Sequence, residues 1–346
     1  MKNFLPLILF AIIFSSCAST ESMHLSVLQP APVSLPSYIK NVAAVNRTQV
    51  AKKSKVYDAI DKIVTLEGAK TDQDAAEETL IGLTDELKKN SRFDEIKMAD
   101  SSLTTNTPGM FPAPLPWDVV EKYCDDNNAD ALFSLELFDT DSKIDYSIYK
   151  TTIKTPFGTI PSIEQQANMH TLVKAGWRIY DLRDKEILDE AAVARSVNFY
   201  GRGMNPLLAA QALINRKEAV KQVGNIAGHA YAFRIIPLWV RVSRNYYVRG
   251  TNNFKIGKRK AQTGNWDDAA KLWQEEINNP KRKVAGRACY NMAIINEING
   301  HLDEAIKWAQ RSYENYNNHQ ALYYVSILKN RQIGDDIAQA QQEASQ

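Results

Sequence analysis

The feature that most constrains the fold of this chain is a short segment that occurs twice near its C-terminal end. The letters GNWDDAA at residues 264–270 are followed 36 positions later by GHLDEAI at residues 300–306. In each copy the Gly suits the left-handed cap of one helix, the acidic residues suit the first turn of the next, and Ala lets two helices approach. This period predicts stacked helical hairpins over residues 251–346, with GDDIA at 334–338 as a weaker third copy that acts as a cap.

The two hairpins resemble tetratricopeptide repeats, because residues 290–293 stand before the second turn at that family's spacing, and Ala305 and Ala309 follow it. The resemblance implies that the first helix of each hairpin lines a groove for an extended peptide. On this basis the predicted partner-binding residues are Phe254, Lys258, Arg287, Tyr290, Ile294 and Glu297. The alternative is that the hairpins only cap the preceding domain and bury Trp239.

Residues 38–233 have the pattern of an α/β domain. Apolar runs at 39–45 and 131–138 read as strands, and helical patterns separate them. Strands that alternate with helices imply crossover connections, so we expect a βαβαβ arrangement with parallel pairing. The predicted fold class is therefore α/β with a mixed sheet, followed by an all-α, tetratricopeptide-like domain.

Three strand-like segments follow Asp139 with no helix between them, which predicts an antiparallel meander. In the middle segment alternate residues from Val173 to Ile179 are apolar and are expected to be buried. Arg178 and Tyr180 lie on the opposite face, which is expected to be exposed to solvent. One long helix from Pro206 to about residue 233 is predicted to cover the sheet.

Two glycines and two cysteines are interpreted as packing residues. Gly224 and Gly228 lie inside the covering helix rather than after a strand, so they suit close helix contact better than phosphate binding. Cys124 and Cys289 lie at apolar positions of helical patterns, where a free thiol behaves as a small hydrophobic group.

The first 37 residues carry a targeting pattern. Residues 1–16 combine Lys2 with an apolar run too short to span a bilayer, which is typical of a cleavable signal peptide. Cys17 follows two Ser residues and resembles the lipobox of bacterial lipoproteins, which implies that Cys17 is acylated, with palmitate among its acyl groups. Residues 17–37 are polar and then proline-bearing, and are predicted to be a lipidated tether.

The order of these features resembles a family of Bacteroidota lipoproteins with an envelope-machine-like α/β domain and C-terminal tetratricopeptide-like repeats. The segments that carry the resemblance are the lipobox, residues 41–47, residues 176–181 and residues 237–239. The α/β domain is similar, more distantly, to lipoproteins of the curli secretion pore and to activators of penicillin-binding proteins. The resemblance implies a chain that is lipid-anchored at the bacterial outer membrane, on either the periplasmic or the outer surface.

No catalytic motif is present in the sequence. The five His residues lack the spacing of metal ligands, and no nucleophile elbow occurs, so we predict no catalytic residue, metal or cofactor. With 42 basic and 40 acidic residues the charge is nearly balanced, which gives no reason to expect a nucleic-acid partner. The alternative is a small-ligand binder or enzyme that uses the carboxylates from Glu136 to Asp141 at the end of a strand.

Residues 234–250 are predicted to form a basic, aromatic junction between the domains. They lie in a stretch, 219–266, that contains no Asp or Glu. The cations assigned to the junction are Arg234, Arg241, Arg244 and Arg249. Such a surface suits an anionic lipid, a glycan or an acidic partner, whereas the alternative is a solvated face beside an aromatic seam.

Together these features predict a non-enzymatic adaptor or scaffold in the cell envelope. A lipid at Cys17 would hold it on the membrane, and the groove would bind a protein or peptide partner. A further alternative is an oligomerising component of a secretion or envelope-assembly machine.

Overall fold

The computed structural model describes residues 19–48, 68–100 and 111–343. The predicted signal peptide and Cys17 lie outside these residues. The chain divides into two compact units. We call residues 30–238 with 337–346 the sheet unit, and the segment that ends at Gln29 with residues 239–336 the helical unit.

The predicted fold class is confirmed, because a mixed sheet with helices precedes an all-helical region. In chain order the elements are β1 (Thr20–Gln29), β2 (Asn41–Asn46), α1 (Gly68–Leu87), β3 (Glu95–Met98), α2 (Trp117–Asn127), β4 (Ala131–Thr155), β5 (Gly158–Asp181), β6 (Glu186–Gly203), α3 (Pro206–Gln211), α4 (Arg216–Ala232), β7 (Leu238–Tyr247), α5 (Asn252–Gln262), α6 (Trp266–Gln274), α7 (Arg282–Ile298), α8 (Leu302–Glu314) and α9 (His319–Glu343).

The sheet unit contains five strands in the order β3-β2-β4-β5-β6. Strand β2 pairs in parallel with both β3 and β4, as expected of strands joined by helical crossovers. Strands β4, β5 and β6 form the predicted antiparallel meander. Strands β4 and β5 have 25 and 24 residues, several times the usual strand length, so their hairpin continues well beyond the core.

Helices α1 and α4 cover one face of this sheet. The apolar residues of β5 from Val173 to Ile179 are fully buried against them, as predicted. Trp177 stacks on Tyr231 of α4, with ring centroids 4.9 Å apart and an angle of 10° between the ring planes. Apolar burial on this face supplies the main core of the unit.

The opposite face of β5 is not exposed to solvent along its whole length, contrary to the prediction. Arg178 and Tyr180 are buried, because α2 and the segment before it cover this end of the sheet. Cys124 of α2 belongs to this second core, as predicted, and burial raises the pKa of its thiol to about 12. Lys174, farther along the strand, is exposed as expected.

Glycines allow α1 and α4 to pack in close contact. A Cβ atom at Gly228 would lie 2.0 Å from the carbonyl oxygen of Thr79, and one at Gly224 would lie 2.7 Å from that of Ala75. The packing role predicted for these two glycines is therefore confirmed. The single covering helix predicted from the sequence is instead two helices, α3 and α4. The second begins at a new cap, because the Asn215 side chain accepts a hydrogen bond from the Glu218 N–H.

The segment predicted as a tether contains a strand, so that prediction is wrong over Thr20–Gln29. Strand β1 pairs with β7, which occupies much of the predicted junction. The physical reason is alternation: Met23 and Val27 point to the interior while the intervening polar residues are exposed. The prolines that suggested a tether lie only after Gln29.

The helical unit contains the predicted hairpins. Gly264 and Gly300 have φ values of +80° and +77°, so both adopt the left-handed turn that a side chain would strain. Cys289 is buried in the core, and burial raises the pKa of its thiol to about 11. The third copy is not a turn, because Gly334 lies inside the continuous helix α9, where one glycine among good helix formers is tolerated.

Candidate functional site

Glu136 lies at a bulge in β4 and is almost fully buried. Arg47 places Nη1 2.6 Å from one carboxylate oxygen, and the Tyr180 hydroxyl donates to the other at 2.9 Å. Arg178 adds a second guanidinium 3.6 Å away. Burial raises the pKa of Glu136, and the two arginines and Tyr180 oppose that shift.

The same arginines hold the chain before α2 against the sheet. Arg178 donates to the carbonyl of Pro112 at 2.7 Å, and Arg47 donates to that of Ala113 at 3.1 Å. The N–H of Leu115 donates to the hydroxyl of Tyr180 at 3.0 Å. Each oxygen of Glu136 already accepts from the chain itself, so the arrangement acts as a structural link.

The other two carboxylates of this strand end, Asp139 and Asp141, each have a lysine as a neighbour. Asp141 is half-exposed and approaches Lys143 at 3.5 Å, while the register of β4 places Asp139 opposite Lys174. Among the described residues no group of three or more His, Cys, Asp or Glu side chains could hold a metal ion. In the same part of the chain no helix is long and apolar enough to cross a membrane.

Most of the residues predicted to line the peptide groove are buried inside the helical unit. Phe254 and Ile294 are fully buried, and Tyr290 contacts the rings of Tyr247 and Tyr324. These side chains cannot contact a peptide in this conformation. An open groove at this position is therefore contradicted by the structure.

The groove is occupied by strand β7 of the chain itself. The Tyr247 N–H donates to the side-chain oxygen of Asn291 at 2.7 Å, and the Asn291 amide nitrogen donates to the Tyr247 carbonyl at 2.7 Å. The Asn291 side chain thus binds both backbone groups of one residue in an extended strand. Helix α7 makes these contacts within the chain.

Glu297 of α7 is buried and binds a second residue of β7, Arg244. Arg244 of β7 donates to it from Nε at 2.8 Å and from Nη2 at 2.8 Å, and Arg331 of α9 approaches at 3.1 Å. The hydroxyl of Tyr324 donates to Oε2 of Glu297 at 2.5 Å. Glu297 is thus enclosed by donors from β7 and α9 and presents no free oxygen to a ligand.

The two other predicted groove residues are partly exposed, but both have partners. Lys258 forms an ion pair with Glu21 of β1 at 2.5 Å. Arg287 donates to the carbonyl of Arg249 at 2.6 Å and lies over the ring of Tyr247. They stabilise the ends of the β1–β7 pair.

Two of the four cations of the basic junction are paired with acids from elsewhere in the sequence. Asp189 binds Arg234 with both oxygens, and Glu297 binds Arg244. Arg241 and Arg249 are exposed, which leaves two of the four cations at the surface. Trp239 is also exposed, which contradicts the alternative in which the helical hairpins bury it.

The feature that sequence reasoning missed is the distal end of the β4–β5 hairpin, residues 146–163, which we call the hairpin tip. Strand β6 ends at Gly203, opposite Gln165, and the two-stranded ribbon continues for about 23 Å beyond it. The large apolar side chains exposed along the tip are Tyr146, Ile148, Tyr149, Ile153, Phe157, Ile160 and Ile163. Exposed apolar clusters of this kind mark interaction surfaces.

These side chains occur on both faces of the ribbon. Ile153 and Ile160 are directly opposite each other and share one face, whereas Ile148 and Ile163 lie on the other. Phe157 in the turn is completely exposed. The period-two pattern was visible in the sequence, but alternation assigns residues to a face without showing whether anything covers that face.

A family model described as Domain of unknown function (DUF8603) matches residues 39–247, more than half of the chain. The chain belongs to this family. The residues matched to DUF8603 include Glu136 with its partners Arg47, Arg178 and Tyr180, the hairpin tip and β7. A second model, described as Domain of unknown function (DUF6340), matches residues 255–330, which cover most of α5 to α9.

Other comparisons add no functional argument. A search of curated proteins gives no match. A PelC dodecamer from Paraburkholderia phytofirmans is 11% identical, with a TM-score of 0.21 over 62% of this chain and 98% of that chain. A neuraminyllactose-binding hemagglutinin homolog from Helicobacter pylori is 11% identical, with a TM-score of 0.23 over 57% of this chain and 81% of that chain. Similarity at this level supports no conclusion about the function of the DUF8603 chain.

Substitution of Glu297 separates a structural role from a binding role. We expect Glu297→Ala to lower the free energy of unfolding by about 3–5 kcal/mol, because it leaves Arg244 and Arg331 without their buried carboxylate. The matched control is Glu304→Ala, which should change the stability far less, because solvent screens its exposed pair with Lys307. Urea unfolding measures both variants. Equal stability of the two would show that Glu297 is not a structural residue.

Proposed function

We propose that this chain is a non-enzymatic adaptor of the bacterial cell envelope, held on a membrane by a lipid at Cys17, and that the hairpin tip is its contact element. The observation that carries the proposal is the contrast between two sets of residues. The predicted groove and the strand-end Glu136 are engaged within the chain, whereas the tip exposes seven large apolar side chains, of which Phe157 is completely exposed. A contact surface of this kind suits binding rather than chemistry.

The lipid anchor is proposed from the sequence at residues 1–17, together with the resemblance to Bacteroidota outer-membrane lipoproteins. Cys124 and Cys289 are buried, so neither competes as an acylation site. Only two residues, Ala18 and Ser19, separate Cys17 from the start of β1 at Thr20, so the three residue steps span at most about 11 Å. An acylated Cys17 would therefore hold the helical unit close to the bilayer, without the long tether predicted from the sequence.

The anchor is tested by labelling cells with radioactive palmitate. We expect the wild-type chain to incorporate label and to fractionate with outer membranes, and Cys17→Ser to do neither, because acylation requires the thiol. Cys124→Ser is the matched control and should behave as the wild type, since that thiol is buried. Equal labelling of Cys17→Ser would contradict the anchor.

The contact element is tested without the anchor. The chain from Ala18 onward contains every described residue, and we expect it to bind isolated envelope membranes. Phe157→Ser should weaken this binding about tenfold, because the exposed ring is the largest apolar group of the tip. Co-sedimentation measures the effect.

The control is Tyr323→Ser, which removes an exposed aromatic ring from the helical unit. It should bind as the wild type does. Equal binding by Phe157→Ser and the wild type would overturn the role of the tip, whereas weakened binding by both variants would indicate a contact that is not confined to it.

A further inference from the structure

The distribution of apolar side chains around the hairpin tip indicates what kind of partner it fits. Ile148 and Ile163 are 66% and 63% exposed on one face, Ile153 and Ile160 about half exposed on the other, and Phe157 is fully exposed at the end. A protein that docks on one face of a ribbon leaves the other face in water. A lipid phase surrounds the end of the ribbon on every side, so it covers Phe157 together with Ile153 and Ile160, the isoleucines nearest that end.

Backbone pairing with a second strand is disfavoured at the tip. The edge of β5 beyond Gln165 is free of β6, but Pro161 lacks an N–H group there. The edge of β4 carries Lys150 and Lys154, and proline and lysine are the residues that protect exposed strand edges from pairing. Strand addition by a second copy of this chain would meet both obstacles.

The charge of the tip is complementary to an anionic surface. Residues 146–163 contain two lysines and no Asp or Glu. Both lysines are exposed, and no described carboxylate pairs with either of them. Each basic residue near an anionic bilayer strengthens association, and a long lysine side chain can reach the phosphates while its stem stays among apolar groups.

The order of side chains along the ribbon matches the polarity of a bilayer surface. Within about 10 Å of Phe157, measured along the strands, lie Ile153, Lys154 and Ile160, a depth comparable to that of an interfacial insertion. Tyr149 lies farther from the end, and the Arg202 guanidinium stacks on its ring at 3.4 Å. Aromatic rings with a polar end are favoured at this interfacial level.

From these observations we propose that the hairpin tip inserts into the headgroup region of an anionic lipid bilayer. Phe157 enters deepest, Ile153 and Ile160 follow, and Lys150 and Lys154 contact lipid phosphates. This inference rests on the proposed function, because it names the partner of the same contact element.

The test uses protein-free vesicles of phosphatidylcholine, with or without phosphatidylglycerol, and the chain from Ala18 onward. We expect the wild type to co-sediment with vesicles that contain phosphatidylglycerol, and Phe157→Ser to lower the partition coefficient about tenfold. Tyr323→Ser, the aromatic control, should change it less than about twofold. Because Phe157 is fully exposed, its substitution should leave the thermal unfolding curve unchanged, and this is measured in parallel.

A charge-reversed pair tests the lysines separately. Lys150→Glu combined with Lys154→Glu should reduce binding to anionic vesicles at least about tenfold and should have little effect on phosphatidylcholine alone. The matched control reverses Lys122 and Lys174, which are also exposed in the sheet unit. Equal losses from the two pairs would attribute binding to net charge and would contradict insertion of the tip.

The remaining outcomes distinguish this inference from the proposed function. If the chain binds envelope membranes through Phe157 but binds neither type of vesicle, the partner is a protein; the lipid inference is then wrong and the adaptor function stands. Self-association in the absence of vesicles that is lost in Phe157→Ser would also overturn the lipid inference, in favour of a second copy. If Phe157→Ser changes neither envelope nor vesicle binding, both proposals fail.

Discussion

The paired hydrogen bonds between the Asn291 side chain and the backbone of Tyr247 determine how the helical unit can be used. They hold β7 in the place where tetratricopeptide-like helices would hold a peptide, and Arg244 fixes the same strand through Glu297. Strand β1 pairs with β7, so the folding of the N-terminal segment depends on the same contact. Because β7 occupies this place, the binding role that we propose uses another surface.

Two buried carboxylates, one in each unit, are satisfied in the same way. Glu136 and Glu297 each accept from a tyrosine hydroxyl and lie beside two arginines. A buried charge is tolerated only when its lone pairs are filled by donors, and such a group fixes the segments that supply those donors. Residues that looked like a strand-end site and a groove site therefore act as structural links.

The sequence allowed prediction of the features that depend on local pattern. The turns at Gly264 and Gly300, the packing glycines of α4 and the buried face around Trp177 all follow from spacing and alternation within one segment. The occupied groove could not be predicted, because it joins β7 to a helix 44 residues away through side chains that suit a peptide equally well. The hairpin tip was missed for a different reason, since a period of two shows which residues share a face but not that both faces stay open.

We propose that this chain makes contact through the hairpin tip rather than through the helical groove. Photo-cross-linking in cells, with a light-activated amino acid placed at position 157 or at position 290, distinguishes the two surfaces. We expect cross-links to envelope lipid or protein from position 157 and only cross-links within the chain from position 290, where Tyr290 is buried. Cross-links to a partner from position 290, with none from position 157, would contradict it.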